Sequence, residues 1–172
     1  LALAESIAGN TVTANALADS AGRENYLEPL LRNQKLGLSR AGLAITDYRG
    51  NLVARNSGIV PVGLSSLFEA MLLSGASEAA VVGTELTVVL PIVYRLTGNI
   101  EGSVVLAIPL DELHEQASGD SAASFGLADR TGKIVAGAVP NADDFERTLP
   151  LSLSRPLDTV GLSVVVMRGR AS

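Results

Sequence analysis

The chain has no cysteine and no tryptophan, and among its 172 residues it has three phenylalanines, three tyrosines and one histidine. Without cysteine there is no disulfide framework and no thiolate metal site, and a reducing or an oxidising compartment is equally open to it. Aromatic residues make up 3% while apolar residues reach 47%, so the core must be assembled from Val, Leu, Ile and Ala, which suits sheets and closely apposed helices. Basic residues are scarce as well. Thirteen Lys and Arg against 18 acids give a net charge of −5, and no clustered cationic surface remains for a nucleic-acid backbone. No apolar run reaches the roughly 18–20 residues that a membrane-spanning helix requires. Opening on Leu1 inside a helical pattern, the sequence reads as a piece of a longer chain.

What the sequence does have, it has twice. AITDYRGNLVAR, residues 44–55, returns as GLADRTGKIVAG, residues 126–137, pairing Asp47 with Asp129, Gly50 with Gly132, Val53 with Val135 and Ala54 with Ala136 at an offset of 82 (129 − 47). The shared chemistry is that of a hairpin turn. An Asp side chain accepts from backbone N–H groups two residues on, and a Gly three residues later takes positive φ at little cost. Alternating apolar residues on either side supply the strands.

Around these hairpins the pattern is mixed helix and strand. Leu3, Ile7, Asn10, Ala14, Leu17 and Ala21 recur at spacings of four and three, a heptad-like stripe over residues 1–21 that can pack on its own domain or on a second subunit, with Asn10 fixing the register. A second helix is expected within residues 23–38, ending at Gly37. After the first hairpin, SGIVPVG is a loop and residues 64–73 have helical spacing. Strands are expected at 78–82, 84–96 and 102–110, the last two joined by the turn TGNIEG; residues 84–96 are apolar on nearly every position, so both faces of their sheet need cover. A short helix at 111–117 leads to a polar joint at 118–121. Beyond the second hairpin come a polar loop through Pro140, Asn141, Asp143 and Asp144, and strands at 148–154 and 161–168. The run after Gly102 resembles the run after Gly161, but at an offset of 59 (161 − 102). The second module is thus shorter by about 23 residues (82 − 59), and the helix at 64–73 falls in the part it lacks.

No catalytic constellation is present. The one histidine, His114, lies in DELHEQ and is expected to be solvated; Asp143–Asp144 lacks the spacing of a calcium loop, no Gly-rich phosphate loop occurs, and no metal or cofactor is expected. Asp47 and Asp129 belong to their turns. Candidate ligand-binding residues are polar groups on otherwise apolar strands of the first module: Arg55 and Ser57, leaving the hairpin toward the covering loop with Asn56 between them, and Thr87, Tyr94 and Arg95 on the long strand. Tyr94 shares a face with Leu86, Val88 and Leu90, and Thr87 and Arg95 lie on the other. An Arg pointing inward implies a carboxylate ligand through bidentate pairing.

The order of a helical start, TDYRGNLVARNS, a helix, LPIVYRL and GSVVLAIPL resembles the Cache family of extracytoplasmic PAS-like sensor domains. With the abbreviated copy, the whole is similar to a double Cache arrangement. That resemblance implies an α+β fold: a long N-terminal helix in a helical region at 1–38, then two PAS-like modules, each an antiparallel sheet flanked by helices, a membrane-distal one at 39–117 and a shorter membrane-proximal one at 118–172. It implies a non-catalytic small-molecule sensor of a bacterial receptor, periplasmic, anchored through flanking segments, paired through its N-terminal helix, and feeding a histidine kinase, chemoreceptor or nucleotide cyclase. The aromatic set with Trp that serves the amino-acid-binding subgroup is missing here. A cytoplasmic PAS-like pairing domain without a ligand is the rival reading.

Overall fold

The N-terminal region is helical, but it is not one helix. The computed structural model describes residues 1–119, 124–139, 143 and 145–167, and its first part runs through α1 (Ala2–Ala8), α2 (Thr11–Ala18), α3 (Ser20–Gly22), a π-helical turn at Arg23–Leu27 and α4 (Glu28–Arg32). Asn10 has extended backbone and its side chain accepts from the Val12 N–H at 2.9 Å, so the residue expected in a seam instead caps the next helix. Asp19 caps α3 in the same way. The second helix stops at Arg32, short of Gly37. Ile7, Ala14 and Leu17 of the stripe are buried in the chain's own core, whereas Asn10 and Ala21 are exposed. The stripe therefore serves the fold itself and is not a free seam for a second subunit.

What it covers is the first sheet, ordered β2-β1-β5-β4-β3. Its strands are β1 (Gly42–Asp47), β2 (Leu52–Arg55), β3 (Glu78–Val82), β4 (Glu85–Tyr94) and β5 (Asn99–Pro109), all antiparallel, with α5 (Ser65–Ser74) between β2 and β3. Asn99, Ile100 and Glu101, expected in a turn, belong to β5. One face, with Leu43, Ile45, Val88, Leu90, Val104 and Leu106, packs on α1, α2 and α4. The opposite face, with Ala44, Val89 and Val105, packs on Leu67, Phe68 and Met71 of α5. The apolar β4 is thus covered on both sides, as burial of both its faces demands.

α6 (Leu110–Ser118) leads to the second sheet, β7-β6-β9-β8, made of β6 (Phe125–Ala128), β7 (Ile134–Gly137), β8 (Phe145–Pro150) and β9 (Ser163–Met167). The joint expected at 118–121 and the polar loop through Pro140, Asn141 and Asp144 lie largely outside the described residues, as does Arg168 at the end of the last expected strand. The two hairpins match in detail: a bulge falls between Ile45 and Thr46 and again between Leu127 and Ala128, 82 residues on. Thr46 pairs with Ser103 and Ala128 with Ser163, so the closing strands align at an offset of 60 (163 − 103), one more than expected. That single residue matters, because a slip of one turns every strand side chain to the opposite face. No counterpart of α5 covers the second sheet among the described residues.

His114 is not solvated. Its Nε2 donates to the Phe125 carbonyl oxygen at 2.7 Å and its ring lies tilted by 51° against Phe125 with centroids 4.6 Å apart. Gly137, at φ +83, leaves the space that the imidazole fills. The histidine thus ties α6 to the second hairpin.

Candidate functional site

Between β2 and α5 the chain crosses the face of the first sheet as a strap, residues 57–64. It is anchored at its start by Asn56, whose side-chain oxygen accepts from Leu43 N–H at 2.9 Å and Gly58 N–H at 3.0 Å while its amide donates to the Ala41 carbonyl at 3.2 Å. Gly42 and Gly58 let strap and strand meet: a Cβ on Gly42 would lie 2.0 Å from the Ile59 carbonyl oxygen. At the other end Gly63, at φ +62, lies against Val82. Among the described residues, 60–63 make no backbone–backbone hydrogen bond, and Val60 and Val62 are exposed. Such a segment sits at the low end of local stability.

Beneath the strap the sheet is small and polar. The ladder sets Gly42 opposite Ala107, Ala107 opposite Thr87 and Thr87 opposite Ala80, and the next row holds Glu85 between Pro109 and Val82. Thr87 is fully buried and its Oγ1 has no hydrogen-bond partner; nor has Oε2 of Glu85, whose carboxyl is pushed up by burial. Two turns of the pleat away, Thr46 and Ser103, also buried, satisfy each other at 2.6 Å. Orphaned buried oxygens are uncommon in folded proteins and call for an account.

A cleft of about 340 Å³ opens beside α5, with Leu64, Ser65, Phe68, Glu69 and Leu72 on one wall and the first turn, Tyr48, Arg49 and Gly50, on the other. Asp47 takes no part in it. Burial alone would raise its carboxyl, but hydrogen bonds from Asn51 and the Arg49 N–H outweigh that and hold it below the ordinary value. Asp129 is held low likewise, first by the Thr131 hydroxyl. Both aspartates are committed to their turns. In the second sheet a hollow of about 570 Å³ is lined by Ile134, Phe145, Thr148 and Val165 next to the turn at Asp129–Gly132. It is open, with Phe145 48% and Val139 75% exposed, and among the described residues no helix roofs this face. Among the described residues no three His, Asp or Glu converge as a metal site would need.

The five candidate residues do not form one cluster. Thr87 lies under the strap. Arg55 is opposite Ala44, hence on the same face, but exposed on the edge strand, and Ser57 is exposed where the strap begins. Tyr94 is half-buried on the other face, against the core that the N-terminal helices share. Arg95 is exposed in the β4–β5 turn beside a shallow hollow of about 330 Å³ with Glu5 and Ser77. Asn56, which the sequence reading set beside Arg55 and Ser57, is the anchor of the strap, and Glu85, the charged group under it, was missed. The spacing of Glu85 and Thr87, two apart in an otherwise apolar strand, is the signal that could have found it.

No protein-family model matches this chain, and no curated protein matches it in sequence. Solved structures do. The ligand-binding domain of the Pseudomonas fluorescens chemoreceptor CtaA, determined in complex with L-isoleucine, superposes with a TM-score of 0.54 and 15% identity, covering 98% of this chain and 82% of that one. At such identity the likeness speaks for the fold alone: this chain has the fold of that domain, with two antiparallel sheets and a helical N-terminal region.

Proposed function

We propose that this chain is an extracytoplasmic sensing unit of a bacterial receptor, in which residues 39–117 take a small molecule between the first sheet and the strap with α5, and residues 118–172 relay its occupancy. The observation that carries the reading is the difference between the two sheets. Equivalent faces are roofed in the first and, among the described residues, bare in the second, and orphaned buried oxygens lie under the roof. A chemoreceptor domain of the same fold holds an amino acid, which supports a small ligand here. A ligand shifts such a domain only by binding one arrangement more tightly than another, and a strap with few backbone bonds is the element that can differ between arrangements. The carboxylate expected from inward-pointing arginines loses its support, since Arg55 and Arg95 are both exposed. Two copies pairing through the helical region would meet on its outer side, where Val12 and Asn15 are exposed.

The test is a thermal-shift screen of the protein against amines, amino acids, carboxylates and nucleobases. A ligand at about 100 times its dissociation constant adds about 2.7 kcal/mol to stability. Melting that no compound raises, in a protein that is folded, overturns the sensing reading.

A further inference from the structure

The roofed face of the first sheet is one-sided in charge. From Ser57 through Tyr94, which spans the strap, α5, β3 and β4, there is no Lys, Arg or His, while Glu69, Glu78 and Glu85 are present. Among the described residues, the cations nearest that face are Arg55, exposed at the far edge strand, and Arg49, in the first turn at the outer end of α5. Two polar atoms on this face lack partners and can accept: Oε2 of Glu85 and the hydroxyl Oγ1 of the fully buried Thr87, two residues apart on one side of β4. Their cross-strand neighbours on this face, Ala107 and Ala80, have almost no side-chain bulk, and beyond Ala107 the strap closes directly on Gly42.

Resting on the sensing function proposed above, we infer that the site under the strap takes a primary ammonium ion with a small apolar body and no carboxylate, its nitrogen donating to Glu85 Oε2 and Thr87 Oγ1. An ammonium has three donors and no acceptor, and so meets two acceptors without leaving a proton acceptor of its own unpaired. A carboxylate at the same place would face Glu85 with no cation to offset it, and a like charge in a buried setting is repelled strongly. The ligand's alkyl part lies over Ala107 and Ala80, where its area leaves water. Selectivity then comes from the group the site cannot match as much as from the one it can.

Three probes with related apolar bodies separate the possibilities: 2-methylbutylamine, L-isoleucine and 3-methylpentanoate, which carry the amine alone, both groups and the acid alone. The amine is expected to raise the melting temperature of the protein while the acid does not, and Glu85→Gln is expected to weaken amine binding by about tenfold or more, the scale of one charge-assisted bond lost. Thr87→Val should weaken it as well. Because neither oxygen has a protein partner, both variants without probe should melt at or above the temperature of the parent. Preference for L-isoleucine or the acid, equal amine affinity in the parent and Glu85→Gln, or an amine silent at about 10 mM, each overturns the inference. Those results leave the sensing reading standing as long as another compound of the wider screen binds.

Discussion

Glu112 shows how a single side chain can hold two distant segments together. It is nearly buried at the start of α6, and its carboxylate accepts from the Ser39 hydroxyl at 2.8 Å and the Arg40 N–H at 3.0 Å, with the Arg40 guanidinium 3.8 Å away. Burial alone would raise its carboxyl, but these donors outweigh burial and leave it below the ordinary value of 4.5. A carboxyl lower in the folded than in the unfolded chain contributes stability that is complete above the unfolded value and is lost as pH falls through the folded one. The stability gap between the parent and Glu112→Gln, followed by melting from pH 7 to 3, should therefore be widest above about 4.5 and shrink below it; a gap constant with pH would contradict this. Asn56 is the second such residue. Asn56→Ala strands the Leu43 and Gly58 N–H groups and the Ala41 carbonyl, and should cost about 3 kcal/mol in denaturant unfolding.

At the scale of elements, the two hairpins are a controlled comparison. Gly50 and Gly132 have φ of +83 and +84 and each N–H bonds the preceding Asp carbonyl at 3.0 Å. A Cβ at Gly50 would press on the Phe68 ring at 3.3 Å, whereas at Gly132 nothing lies within 4 Å. Gly132→Ala should cost about 1 kcal/mol for the left-handed backbone alone, and Gly50→Ala should cost more, because the ring of α5 must also move. Equal losses in denaturant titrations would show that α5 does not seat on the first turn. The turns themselves were legible in the sequence, since Asp and Gly at fixed spacing encode a local conformation. The break at Gly9–Asn10 was not read from it, although Asn is a favoured cap, because the heptad-like spacing carried across the break and suggested a continuous helix.

For the whole molecule, the placement of the N-terminal helices decides whether the stripe is available to a partner. Leu17 is 1% exposed against β4 and β5, while Asn15 faces solvent. A cysteine placed at Leu17 should react with a thiol reagent at least about tenfold more slowly than one at Asn15, since access needs local opening; similar rates would mean the helices do not lie on the sheet. The sequence by itself determined the number of strands in the first module and their succession along the chain, the two Asp–Gly turns and the shortened second module. Each is a matter of local chemistry or of period. Only the tertiary structure decided which face of β4 meets which helix, that Arg55 and Arg95 remain outside, that Tyr94 and Thr87 are on opposite sides, and that Glu85 and Thr87 come under the strap without partners. Those outcomes depend on pairing between residues far apart in the chain, where one step of strand register reverses every side chain, and no local pattern fixes that step.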